Sequence, residues 1–236
     1  VLTSASLDLD VSSAMDGVLL ACASSATTTT FENVYVDGIE TRQQRVYNFA
    51  DYLAPYMVPA EWRPSVVHLG PLVRECADEF VDAFDGAFVG VTPQGWLRQW
   101  DRSGHVSPCP WEAPERVLNR ADAVVLSELD VTDASQIDHY ASLTRVLVVT
   151  TGAGGCRVYA GGEPHDYPAE PIREVDPTGA GDIFATAFFI TLHKSGDLGM
   201  AAQFANCFAG PSVTRVGLGG TPSQEEVDRC RRQFAR

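Results

Sequence analysis

Residues 176–184 read Asp-Pro-Thr-Gly-Ala-Gly-Asp-Ile-Phe. Gly179, Ala180 and Gly181 carry almost no side chain, and they stand directly before a carboxylate, Asp182, and a long apolar run. Small residues at a helix start leave backbone N–H groups bare and aim several of them at one point, which is how a chain cradles a phosphate. Asp182 sits beside that cradle, where a hydroxyl attacking the phosphate would have to lose its proton. The chemistry implied is phosphoryl transfer. Neither of the commoner phosphate motifs is present: there is no GxxxxGK[ST], and "TGAGGC" at 151–156 lacks the spacing of GxGxxG.

The elements that position these residues follow from the pattern around them. "TTTTFENVYV" and "ETRQQRVYNF" flank Asp37-Gly38 and predict a hairpin, a polar ribbon outside the main core. "SVVHLG" then reads as a buried strand, and Val73, Cys76, Ala77, Phe80, Val81 and Phe84 recur at helical spacing. "AFVGV" is a strand, and 112–120 is a helix. "AVVL" at 123–126 is a strand before a helix that Thr132 or Asp133 caps. "RVLVVT" is a strand, and "CRVYA" pairs through Gly161-Gly162 with the segment near Tyr167. From Gly179 the chain is nearly all helix: "AGDIFATAFFITLHK", "LGMAAQFANCFAGPSV", and a third starting at Ser223. Alternating strands and helices predict a mostly parallel sheet covered on both faces.

Composition bounds the function. With 236 residues, 31 acidic against 17 basic side chains and a net charge of −14, the chain is globular and unsuited to nucleic acid or an anionic membrane. No apolar run approaches the roughly 20 residues of a membrane span. Six cysteines without CxxC or metal-ligand spacing predict reduced thiols in a cytoplasmic protein.

"DPTGAGD", followed by a long apolar helix and "ANCFAGPSVTRVG", resembles the C-terminal signature of the ribokinase-like carbohydrate kinases, the phosphofructokinase-B type. "VLVVTTGAGGCRVY" resembles that family's nucleotide-binding strand and Gly turn, and "VYVDGIETRQQRV" its β lid. The wording of "VDPTGAGD" and "GCRVY" is similar to the inositol-kinase-like branch. The resemblance runs from about residue 26 to the end and implies a three-layer α/β/α fold with a small β lid at 26–48. It implies an ATP- and Mg²⁺-dependent kinase acting on an alcohol of a small sugar or polyol. A nucleoside kinase and a catalytically silent metabolite-binding regulator are the alternatives. The exposed ribbon suggests a homodimer.

Residue by residue, the resemblance makes Asp182 the catalytic base and the N–H groups of Gly179, Ala180 and Gly181 the anion hole. The helix start favours the carboxylate of Asp182 and burial disfavours it, and the sequence leaves that contest open. Thr150, Gly152 and Gly155 lie around the donor's phosphates and ribose, and Asn206 near the adenine. Where the family commonly shows Asn-x-x-Glu, this chain has Ser127-Glu128-Leu129-Asp130, so Ser127 replaces an amide and Asp130 bears on Mg²⁺ through water. Gln94 and Arg98 match the substrate-side polar groups, with Arg98 suited to phosphate oxygens. Asp176 and Thr178 match a monovalent-cation (K⁺) site. The nearby Trp96 and Trp100 read as core in preference to a sugar platform.

The beginning departs from the family. Its members open with a strand and a Gly-Gly loop, whereas here the first Gly-Gly is Gly154-Gly155 and the first residue is Val1. The resemblance therefore implies a single domain, 1–236, that lacks its N-terminal strand and Gly-Gly loop.

Overall fold

A computed structural model describes residues 1–15, 17–36 and 41–234. Its centre is a six-stranded sheet in the order β12–β11–β10–β9–β6–β5. The strands are β5 (Val66–Leu69), β6 (Phe88–Val91), β9 (Ala123–Ser127), β10 (Leu147–Thr150), β11 (Cys156–Tyr159) and β12 (His165–Tyr167). β5, β6, β9 and β10 are parallel, while β11 and β12 add as antiparallel neighbours.

Both faces of this sheet are covered, as its apolar strands require. Val124, Leu126, Leu147 and Val149 face a core shared with α2 (Glu115–Arg120) and α3 (Ala134–Leu143), through Val117, Leu118 and Tyr140. Ala123, Val125, Val146 and Val148 alternate to the opposite face. There they meet Phe184, Phe188 and Phe189 of α4 (Ala180–Ser195) and Ala201, Ala202 and Ala205 of α5 (Leu198–Ala209). Alanines on α5 let it lie close against α4. The fold is a three-layer α/β/α domain.

Three smaller pairs stand apart from that sheet. β1 (Leu2–Ala5) and β2 (Ala21–Ser24) pair in parallel across the short helix α1 (Val11–Ala14). β3 (Thr30–Val36) and β4 (Thr41–Asn48) form an antiparallel ribbon of their own, as the sequence pattern predicts, though the Asp37-Gly38 turn lies outside the described residues. β7 (Arg98–Trp100) and β8 (Val106–Pro108) make a hairpin onto which the ribbon is stitched, Val46 N–H donating to Gly104 O at 2.9 Å.

Two expectations are corrected. The Val73–Phe84 stretch is not a helix; only Asp78–Asp82 forms a 3-10 turn. Arg74 at φ 65° is left-handed, and Cys76 bridges in parallel to Leu53, so the backbone is held extended where helical spacing of the apolar residues pointed to a helix. Nor are all six thiols reduced: Cys207 and Cys230 form a disulfide joining α5 to α6 (Gln224–Phe234), their Cα atoms 6.0 Å apart. The packing of those two helices makes a pair that 23 residues of sequence separation conceal. Cys22, Cys76, Cys109 and Cys156 are free thiols. Among the described residues no helix is long and apolar enough to cross a membrane.

Candidate active site

Parallel strands send their carboxyl ends to one rim of a sheet, and that rim is where loops can build a site. Here β6 delivers Gln94 and, past a 3-10 turn, Arg98. β9 delivers Ser127 and Asp130, and β10 delivers Thr150 and Gly152. α4 begins above them.

The start of α4 is built as its sequence suggests. Gly179 caps it at φ 84°, a left-handed conformation that a side chain would strain. A Cβ placed on Gly179 or Gly181 would meet nothing within 4 Å, so both glycines border open space that an anion can fill. The first N–H groups of the helix lack intrahelical partners; that of Ala180 is drawn back to Pro177 O at 3.2 Å, and the helical ladder begins with Ile183 N–H to Gly179 O at 3.0 Å.

Asp182 lies in that first turn. Its carboxyl pKa is raised, first by burial among the surrounding loops; the Arg98 guanidinium opposes the rise and Asp130 adds to it. Burial therefore wins the contest that the sequence left open. The residue is exposed to the open cleft, so water screens it against both charges. Arg98, by contrast, is buried, 7% exposed. Its Nη2 donates to Gln44 Oε1 of the ribbon at 3.0 Å, and its guanidinium carbon lies 5.5 Å from the Phe31 ring centroid.

Gln94 and Asp130 are joined, Gln94 Nε2 donating to Asp130 Oδ1 at 3.1 Å. Asp130 Oδ2 accepts the Ser127 N–H at 2.9 Å, and Ser127 Oγ accepts from Leu129 N–H, a reciprocal capping box. The Ser-x-x-Asp stretch thus braces itself and still points a carboxylate at the rim. Among the described residues no three His, Cys, Asp or Glu side chains cluster as a metal cage. Mg²⁺ keeps most of its waters and takes phosphate oxygens; Asp130, each of its oxygens accepting one hydrogen bond, has lone pairs left that fit such a hydrated ion. Asp176 is engaged to the same extent as Asp130. Its two oxygens accept Thr178 N–H and Gly217 N–H, each at 2.9 Å, and these bonds lower its pKa, so it already braces the loop.

The donor-side residues separate into two kinds. Thr150 Oγ1 reaches Leu126 O at 3.4 Å, and Gly152, at φ 56°, borders open space. Gly155 is structural: a Cβ there would lie 2.2 Å from Tyr167 O. Asn206 is also committed, its Nδ2 donating to Tyr167 O at 2.9 Å and Pro168 O at 3.4 Å. It ties α5 to the end of β12. Trp96 is core, stacked on Trp111 with centroids 5.3 Å apart. A cavity of about 610 Å³ opens beside β10–β11, lined by Thr151, Gly154, Tyr159, Arg157 and Asp166 among others. Neither Asp182 nor Arg98 lines it, and the convergence of charge and helix start, not cavity size, marks the site.

The pfkB family carbohydrate kinases match residues 117–225, which hold Asp182, the glycines before it and every donor-side residue named above. Across that stretch the chain resembles the pfkB family carbohydrate kinases, and its fold is ribokinase-like. It is 36% identical over 107 residues to the ribokinase of Bacillus subtilis (strain 168), covering 45% of this chain and 35% of that one. It is 42% identical over 73 residues to the inositol 3-kinase of Zea mays, covering 30% of this chain and 19% of that one. These matches thus span about a third or less of the curated relatives. Among solved structures, the sulfate complex of a pyrophosphate-dependent kinase in the ribokinase family superposes with TM-score 0.81 at 20% identity, over 96% of this chain and 84% of that one. Ribokinase from Giardia lamblia superposes with TM-score 0.70 at 20% identity, over 99% and 82%. In this ribokinase-like fold the ribbon lies off the main sheet, and its Phe31, Asn33 and Gln44 are the residues near the site that sequence reading missed. Polar Asn33 and Gln44 on one face of a predicted ribbon were the available signal.

Proposed function

We propose that the protein transfers the terminal phosphoryl group of ATP to a hydroxyl of a small sugar or polyol. The observation that carries this reading is the open, glycine-capped start of α4 with Asp182 in its first turn and Arg98 close enough to act on its charge. The acceptor oxygen forms a bond to the γ-phosphorus as the bond to the β–γ bridging oxygen breaks. The acceptor's proton passes to Asp182, and ADP leaves. A raised carboxyl pKa makes Asp182 a stronger base than an ordinary aspartate. The N–H groups at the start of α4 and the Arg98 guanidinium take the charge on the phosphoryl oxygens. Mg²⁺, when bound, neutralises donor phosphate charge; Asp130 would hold it through water and Gln94 would orient Asp130. We route no step through a monovalent ion at Asp176.

The β3–β4 ribbon acts in this reading as the lid, shielding the phosphoryl group from water while the acceptor is bound. Its supporting contacts are those of Gln44 and Phe31 with Arg98.

A second reading concerns the donor. Asn206, the residue expected near adenine, spends its amide on backbone carbonyls, and three of the solved structures similar to this chain are of pyrophosphate-dependent enzymes, one complexed with myo-inositol. Pyrophosphate in place of ATP meets the same helix start. A matrix of ATP and pyrophosphate against ribose, fructose, myo-inositol and adenosine separates these readings. Turnover with a sugar or polyol is the expected result, turnover with adenosine alone assigns a nucleoside kinase, and binding without turnover in every cell of the matrix assigns a silent regulator.

A further inference from the structure

α6 is held to the rest of the chain by few ties. Its apolar residues, Val227, Cys230 and Phe234, make one narrow seam, and of its residues Cys230 alone is buried. Phe234 meets Phe204 of α5 edge-on, with ring centroids 6.3 Å apart. A helix of 11 residues with so little apolar surface is marginal by itself in water, so the bond from Cys230 to Cys207 sets whether it stays docked. One turn before Cys230, Glu226 accepts from Arg215 through both oxygens, Nη1 to Oε1 at 2.9 Å and Nη2 to Oε2 at 3.1 Å. Arg215 Nη2 also donates to Gly220 O at 3.3 Å, so the 215–220 loop closes on α6. That loop sends the Gly217 N–H to Asp176 Oδ2 at 2.9 Å, while Asp176 Oδ1 accepts the Thr178 N–H at 2.9 Å. Gly179, next in the chain, caps α4. A series of bonds thus runs from the disulfide to the glycines before Asp182.

Cys207 is only partly buried, whereas Cys230 is fully so. A dithiol reductant therefore meets Cys207 first. One of its thiolates forms a bond to Cys207 Sγ as the Sγ–Sγ bond breaks, and Cys230 leaves as a thiolate that takes up a proton. The reductant's second thiol, losing its proton, then displaces Cys207, which ends as a thiol. The reductant leaves as a cyclic disulfide, two electrons having passed to the cysteine pair. With the bond open, α6 separates from α5 and draws Glu226 away from Arg215, and the loop carrying the Gly217 N–H retreats from Asp176. Resting on the kinase reading of the site, we propose that the Cys207–Cys230 disulfide is a redox-sensitive clamp that holds the phosphoryl-binding loop in shape through Glu226, Arg215 and Gly217.

The test compares oxidised wild type, wild type reduced with dithiothreitol, Glu226→Gln, and the paired Cys207→Ser, Cys230→Ser variant, with folding verified by circular dichroism. Amide hydrogen exchange is the direct readout, with Val148 and Val149 of β10 as the internal reference. Reduction should speed exchange at the Gly217 and Thr178 amides by about tenfold while the β10 reference holds. It should also lower kcat/KM for the phosphoryl donor by about three- to tenfold with the best acceptor of the panel. Oxidised glutathione should restore both values. The serine pair should match reduced wild type and ignore dithiothreitol. Glu226→Gln should loosen the Gly217 amide with the disulfide intact, and reduction should then add little. Unchanged Gly217 and Thr178 exchange in folded, reduced protein overturns the proposal, as does a dithiothreitol effect of the same size in the serine pair. If reduction unfolds the chain, Glu226→Gln decides alone, and a wild-type Gly217 amide there overturns the clamp. If wild type phosphorylates nothing, the kinase reading fails and the exchange comparison still decides the clamp. Full turnover with unmoved exchange removes the clamp and leaves the kinase.

Discussion

The hydroxyl of Thr186, one helical turn beyond Asp182 on α4, lies 3.3 Å from Nδ1 of His68 on β5. The other ring nitrogen of that histidine lies 3.0 Å from Thr92 Oγ1, just past the end of β6, and its ring packs edge-on to Phe189 with centroids 5.1 Å apart. One imidazole thus pins the helix that carries Asp182 to the two strands beneath it.

Burial holds the His68 pKa down to about 4. Between that value and the ordinary one of about 6.5, the unfolded chain takes up a proton that the folded chain refuses. The contribution of neutral His68 is therefore complete above about pH 6.5 and is lost as the pH falls toward 4, by an order of 1–3 kcal/mol. Urea midpoints measured at intervals from pH 7 to 4 should fall across this window in wild type, and the fall should be shallower in His68→Gln.

Asp182→Asn keeps the shape of the side chain but cannot accept the acceptor's proton. Turnover should drop by roughly 10²- to 10⁴-fold, the usual range for losing a general base. Donor affinity should hold or improve, since a negative charge beside the phosphates is gone. Steady-state kinetics and calorimetric donor binding check both parts, and near wild-type turnover would show that Asp182 is not the base.

The two glycines of the β10–β11 turn should respond differently to alanine. Gly155→Ala drives a methyl into Tyr167 O and should cost about 2 kcal/mol or more of stability. Gly152→Ala meets open space and should cost only about 1 kcal/mol of left-handed strain, its main effect falling on donor KM. Thermal melts beside donor titrations separate the two behaviours.

The disulfide predicts a thiol count. Under denaturing, non-reducing conditions four thiols should react, and after reduction six. Reduction should also lower the melting temperature, since closing a loop of this size is worth about 3 kcal/mol. Cys230→Ala should mimic that loss, and six reactive thiols before reduction would show that the bond does not form.

How far the site could be read in advance depended on how local its determinants are. Gly179, Asp182 and the apolar face of α4 are consecutive in the chain, so their arrangement follows from helix geometry. The strands β5, β6, β9 and β10 announced themselves as short apolar runs, and Asp133 caps α3 as its type suggests. Arg98 was legible as a charge, but its tie to Gln44 joins residues 54 apart and no periodicity encodes it. The Val73–Phe84 stretch misled because spacing reports only which residues are buried; a left-handed Arg74 and a bridge to Leu53 set the backbone. β1 and β2 were missed because Leu2–Ala5 and Ala21–Ser24 are short, mixed in polarity, and pair only with each other.

The order of the six-stranded sheet has a bearing on how the chain is made. Every neighbouring pair is consecutive along the chain except β6 and β9, which the β7–β8 hairpin and α2 separate. A sheet wired this way can assemble strand by strand as it leaves the ribosome, with little loop entropy to overcome. Its two covers do not arrive together. α2 and α3 are synthesised between the strands and can shield their face at once, whereas α4 and α5 follow the last strand. Until then Ala123, Val125, Val146 and Val148 lie bare, so the nascent sheet is a sticky surface that the helix bearing Asp182 must reach before another chain does.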